Sequence, residues 1–129
     1  MANVRGMDIE QFVNRYVAVW NEPDAGLRRQ AVEELWAGDG VEYVETAEFR
    51  GHDALEARIA EAYKEFVGTG RFTVGFAGDV LAHHDAVTFT VQLRTPEGEA
   101  AWAARVVAIL GDDDLIRSDH HFTVQDLAS

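Results

Sequence analysis

Apolar residues recur at helical spacing through the first half of the chain and then switch to alternation. Ile9, Phe12, Val13, Tyr16, Val17 and Trp20 form one 3.6-residue stripe. They predict a helix over roughly 8–21 with Asp8 as its N-cap. The break Asn21-Glu22-Pro23-Asp24 ends it and opens a second helix, with Leu27, Ala31, Val32, Leu35 and Trp36 on one face. Gly38 and Gly40 stop that helix, and short strands are expected at 41–45 and 48–50. A third helix over about 53–67 carries Leu55, Ile59, Ala62, Tyr63 and Phe66 as its stripe, with Gly68 expected at a positive-φ C-terminal position. Four alternating segments follow, at about 71–82, 86–95, 100–110 and 115–124. The connections His83-His84-Asp85, Thr95-Pro96-Glu97-Gly98 and Gly111-Asp112-Asp113-Asp114 read as antiparallel hairpin turns.

Hairpin turns fix which residues oppose each other, and strand residues alternate faces. Taking His84-Asp85 and Pro96-Glu97 as turn centres and 111–114 as a four-residue loop, His83 faces Ala86, Val91 faces Trp102 and Val106 faces Asp119. One face then collects Phe72, Val74, Phe76, Val80, Val87, Phe89, Val91, Leu93, Trp102, Ala104, Val106 and Ala108. The same face also takes Arg117, Asp119 and His121 from the last strand. Ionisable groups on an apolar face cost several kcal/mol unless paired or neutralised, so they mark the first place to look for function. The other face, with Thr88, Thr90, Gln92, Arg105, Ser118, His120 and Phe122, is mixed.

Composition narrows the class. A chain of 129 residues with 47% hydrophobic content and 2 Pro suits one globular domain spanning 1–129. No cysteine is present, which excludes disulfides and thiolate chemistry and fits a reducing cytoplasm. There is no apolar signal core and no long apolar run, so a soluble cytoplasmic protein is expected. With 23 acidic and 11 basic residues, a formal charge of −12 disfavours nucleic acid and anionic membranes as partners.

The first helix RYVAVWNEPDAGLRR, the segment VEYVETAEFRGHDAL and the ending LIRSDHHF carry a resemblance over nearly the whole chain. Together with the order of elements, they resemble the nuclear transport factor 2-like superfamily, which includes ketosteroid isomerase and the SnoaL-like polyketide cyclases. The resemblance implies a cystatin-like α+β fold, in which a cone-shaped, curved antiparallel sheet wraps around three N-terminal helices. It also implies an apolar pocket at the open end and a homodimer through the outer sheet face. Two departures stand out. Glu45-Thr46 occupies the place where relatives often have Asp-Pro. The inward positions of the penultimate strand are Ala104 and Val106, so the Arg-x-Asp pair of limonene epoxide hydrolase-like members is absent. The fold hosts enzymes and non-catalytic binding modules alike.

Within such a pocket, Asp119 and His121 lie two apart on one strand and can meet as a general acid/base unit. Glu45 is a candidate second carboxylate. The Tyr16 hydroxyl is a candidate donor to a substrate oxyanion, with Arg117 in the same role. Trp20, Trp36, Phe49, Phe89 and Trp102 are candidate walls, with Arg117 as a further ligand contact. The His83-His84-Asp85 and Asp112-Asp113-Asp114 clusters read as solvated turns, so no metal site is expected. The reading that follows is cofactor-independent isomerisation, cyclisation or hydration/dehydration of a hydrophobic small molecule. The alternative is a non-catalytic ligand-binding or dimerisation module on the same fold.

Overall fold

In a computed structural model, residues 3–4 and 7–127 are described. The order is β1 (Asn3–Val4), β2 (Met7–Asp8), α1 (Ile9–Asn21), α2 (Ala25–Leu35), β3 (Trp36–Val44), β4 (Ala47–Arg50) and α3 (His52–Ala62). A π-helical turn at Tyr63–Val67 follows, then β5 (Thr73–Phe76), β6 (Leu81–His83), β7 (Ala86–Arg94), β8 (Ala100–Leu110) and β9 (Ile116–Gln125). Asp8 caps α1 by accepting from the Gln11 amide, and Asp24 caps α2 through Leu27. Gly68 does not take a positive φ; it sits at −64°, and Gly70 supplies the left-handed turn at +82°. Gly68 is needed for space instead, since a Cβ there would lie 2.9 Å from the Tyr63 ring.

The large sheet has the order β4-β3-β9-β8-β7-β5, with β6 also paired to β7. It is mixed and not wholly antiparallel, because β3 runs parallel to β9. The helices pack in the concavity of this sheet, and Val13, Tyr16, Leu55, Ile59, Phe89, Val106 and Ile116 form part of one buried core. The predicted strand over 71–82 is broken between β5 and β6. Gly78 takes φ +81° there, and the Asp79 carboxylate accepts from the Thr90 amide at 2.9 Å in place of a strand partner.

Two hairpins are displaced by two residues from the expected pairing, and each displacement has two parts. Between β7 and β8, Arg94 pairs with Ala100 and Leu93 with Trp102, so the loop holds one extra residue and a bulge adds another. Between β8 and β9, Leu110 pairs with Ile116, and the next pair is Ile109 with Ser118. A shift of two keeps every side chain on its expected face. Val106 therefore opposes His121 and Ala108 opposes Asp119, both inward. Arg117 is the exception. It is the bulged residue, 52% exposed at its side chain, and Ile116 takes the inward place.

Candidate functional site

Asp119 and His121 point from β9 into the core, and α1 brings Tyr16 directly onto them. The Tyr16 hydroxyl donates to Asp119 Oδ2 at 2.7 Å and lies 2.6 Å from His121 Nε2. One hydroxyl carries one proton, so this geometry has His121 Nε2–H donating to the tyrosine oxygen. The other Asp119 oxygen accepts from the Trp36 indole at 2.9 Å. All four side chains are buried.

A second carboxylate completes the cluster, and it is not Glu45. Glu42 lies beside Asp119 in the parallel β3–β9 register and is fully buried. Its Oε2 accepts from Arg58 Nε at 3.0 Å, and its Oε1 lies 3.4 Å from His121 Nε2. Burial pushes the Glu42 carboxyl up to about 7, with the Asp119 charge adding to it and His121 and Arg58 opposing. Burial alone would lower the His121 pKa, but the Glu42 and Asp119 charges outweigh it and raise the imidazole above its usual value. Burial, then the charges of Asp119 and Glu42, hold the Tyr16 phenol well above its usual range, so it stays a donor.

An apolar cleft of about 230 Å³ opens beside this cluster. Trp20, Arg58, Phe66, Val91, Trp102 and His121 are among its walls. His121 thus spans the cluster and the cleft. Its Nε2 is held by the cluster, while its Nδ1 is buried with no partner among the described residues. The Trp20 indole nitrogen is likewise buried and without an acceptor among them. The Arg58 guanidinium packs on two rings, 5.3 Å from the centroids of both Trp20 and Phe49.

The expected site residues divide sharply. His121, Trp20 and Trp102 line the cleft. Asp119 and Tyr16 stand behind His121 and do not line it, so the tyrosine hydroxyl is engaged with the cluster and not presented to a ligand. Trp36 and Phe89 are fully buried core, and Phe49 packs on Arg58 without reaching the cleft. Two assignments are corrected. Glu45 is exposed, and its carboxylate accepts from the Thr123 amide at 2.7 Å, which lowers its pKa. Arg117 points outward at its bulge toward Asp39, 3.5 Å away.

Glu42 and Arg58 were not legible as site residues. Alternation from Val41 and Tyr43 assigns Glu42 to the other face. The alternation holds, but the inward face is that of Glu42, which pairs with inward Asp119, while Val41 and Tyr43 pair with outward Ser118 and His120. Gly40 lets β3 lie close to β9, since a Cβ there would come within 2.8 Å of the Ile116 carbonyl oxygen. For Arg58 a signal exists: it falls three residues after Leu55 and four before Ala62, on the apolar stripe of α3.

One ligand atom each from Glu42, Asp119 and His121 lie within 4.8 Å of one another, a spacing that a metal ion could bridge. Both Asp119 oxygens and His121 Nε2 are already engaged by Tyr16 and Trp36, and Arg58 holds Glu42 Oε2, while Glu42 Oε1 has no hydrogen-bond partner among the described residues.

No protein-family model matches the sequence, and no curated protein does. Solved structures do match. A proposed isomerase of the SnoaL-like family from Agrobacterium tumefaciens superposes with a TM-score of 0.79 at 24% identity, over 88% of this chain and 95% of that one. The chain has the SnoaL-like fold. A proposed polyketide cyclase from Sinorhizobium meliloti gives a TM-score of 0.65 at 16% identity, over 86% of this chain and 93% of that one. A de novo designed protein with a curved β-sheet gives 0.68 at 16% identity, over 89% and 84%. That a designed chain shares the SnoaL-like architecture underlines that fold alone does not carry chemistry. No helix among the described residues is long and apolar enough to cross a membrane.

Proposed function

We propose that the cleft binds a small hydrophobic molecule and that His121 moves a proton to or from it at Nδ1. The observation that carries this reading is the divided environment of one imidazole. Nε2 is fixed by Tyr16, Asp119 and Glu42, while Nδ1 is buried with no partner among the described residues and the ring lines an apolar cleft. A carboxylate that orients the far nitrogen of an imidazole sets its tautomer and stabilises its cation, which suits an acid/base group working near neutral pH. Asp119 is then a positioning residue, with Tyr16 and Trp36 holding it. This supports isomerisation, cyclisation or hydration/dehydration of a carbonyl compound.

Size limits the substrate. If a cavity of about 150 Å³ accepts benzene, one of 230 Å³ encloses roughly nine or ten non-hydrogen atoms. A one- or two-ring compound fits, whereas a four-ring skeleton would protrude.

The test is exchange of protons α to a carbonyl in D₂O, followed by NMR over a panel of cyclic ketones and enones. The wild type is expected to accelerate exchange for at least one compound, His121→Gln to bring it down to the rate in buffer alone, and the surface control Asp39→Asn to keep the wild-type rate. Equal exchange by wild type and His121→Gln would remove the catalytic reading. The second reading, a non-catalytic binding module, is favoured by the fact that Asp119 is tied to Tyr16 and Trp36 and does not reach the cleft. Ligand binding without exchange would select it. A homodimer through the outer sheet face is also proposed, supported by Phe122 and Val124 standing exposed there, and sedimentation as a monomer at micromolar concentration would refute it.

A further inference from the structure

The polar groups that an otherwise apolar cleft presents to its occupant are informative about that occupant's charge. Arg58 is a cation in its wall. Only its Nε is engaged, on Glu42 Oε2, and its two Nη nitrogens make no hydrogen bond to any described residue. The guanidinium carbon lies 5.3 Å from the ring centroids of both Trp20 and Phe49, and these contacts restrain the fork. The Trp20 ring belongs to the same wall, while its indole nitrogen is buried. Gln92, also in the lining, has its side-chain oxygen accepting from Arg94 Nε at 2.9 Å.

We infer that the ligand of this cleft is a small cyclic or aromatic carboxylic acid, bound as the anion with its carboxylate on the free edge of Arg58. This rests on the reading of the cleft as a ligand site and names the substrate class for it. The unengaged groups are N–H donors, and a planar fork of donors matches a carboxylate. A neutral hydrocarbon would leave them unsatisfied. Glu42 offsets the Arg58 charge only in part at neutral pH, since its own carboxyl is raised to about 7. The choice matters in a chain of formal charge −12, where an anion has few other places to dock.

Isosteric acid and amide pairs test this, because each pair differs in charge and not in shape: benzoate and benzamide, phenylacetate and phenylacetamide, cinnamate and cinnamamide. Affinities are measured by ligand-observed NMR titration at pH 7.5 for the wild type, Arg58→Lys, Arg58→Gln and the double variant Glu42→Gln/Arg58→Gln. The double variant guards against misfolding, since it leaves no buried carboxylate unpaired; circular dichroism checks all four. The wild type is expected to bind the acid of at least one pair fivefold or more tighter than its amide. Arg58→Lys should keep part of that preference, and both Gln variants should lose it. A preference under fivefold in every pair, or one that survives Arg58→Gln, overturns the inference. Amides that bind as tightly as acids, and weaken in Trp102→Ala, would sink the anion claim and leave the cleft as a ligand site. Absence of binding by acids and amides alike would remove both. Acid preference without proton exchange would keep this inference and remove only the chemistry assigned to His121.

Discussion

Replacing Tyr16 with Phe deletes one oxygen from the centre of the buried cluster and should be expensive. The hydroxyl donates to Asp119 Oδ2 at 2.7 Å and accepts from His121 Nε2 at 2.6 Å, and no water can take its place without a cavity to hold it. Part of the loss is recoverable. His121 Nε2 is already 3.3 Å from Asp119 Oδ2, and a small approach would give these two a direct bond. One charge-assisted hydrogen bond is then lost in a buried setting, together with a little packing, which amounts to about 2–3 kcal/mol. For a chain of 129 residues that corresponds to a fall in Tm of roughly 8–12 °C. Urea denaturation followed by circular dichroism, with thermal melts alongside, measures both. Tyr43→Phe is the control, since the Tyr43 hydroxyl only receives a long 3.4 Å contact from exposed Arg50. If Tyr16→Phe lost no more than about 0.5 kcal/mol, as expected for the control, the hydroxyl would not hold Asp119 and His121 together and the positioning argument would fail.

Glu42 carries a pH signature. Its folded-state carboxyl is raised to about 7 from 4.5, so the unfolded chain ionises first and stability is lost as pH climbs through that window, by up to about 3 kcal/mol. His121, raised above 6.5, is protonated more readily in the folded state, and its contribution is present at low pH and also lost as pH rises through its folded value. Urea melts from pH 4.5 to 8 should therefore show falling stability, and Glu42→Gln should flatten the curve; a wild-type curve that rises across this range would contradict the cluster's electrostatics. Arg117→Ala should change stability by less than about 0.5 kcal/mol, because the side chain is half exposed and its 3.5 Å pairing with Asp39 is a surface contact. A loss above about 1.5 kcal/mol in the same melts would mean that it lies inward after all. Gly70→Ala should cost about 1 kcal/mol through its φ of +82° alone, since a Cβ there meets nothing within 4 Å; an unchanged midpoint would argue against the left-handed turn.

The periodic segments were legible because their cause is local. A stripe such as Phe12, Tyr16 and Trp20 specifies a helix face whatever it packs on, and Val87, Phe89 and Val91 specify a strand face in the same way. The inward aim of Asp119 and His121 was legible too, although for a reason the chain did not reveal. A longer connection and a bulge each add one residue between β8 and β9, and two additions restore the parity that one would have reversed. Arg117 falls between the two, so its direction could not survive the same reasoning.

The sequence by itself determined most of the helices and strands, though not that Trp36 opens β3 (Trp36–Val44) instead of closing α2, and also which face of the late strands is apolar and that ionisable groups interrupt it. Only the tertiary structure decided which groups meet. Glu42 joins the cluster through a parallel pairing between β3 and β9, strands far apart in the chain that Gly40 lets approach closely. Tyr16 meets Asp119 across 103 residues, and Arg58 reaches Glu42 from a different element. Local pattern sets the direction in which a side chain leaves its own backbone. Its partner is set by how separate elements pack, and that is where the division of His121 between a fixed nitrogen and an open one arises.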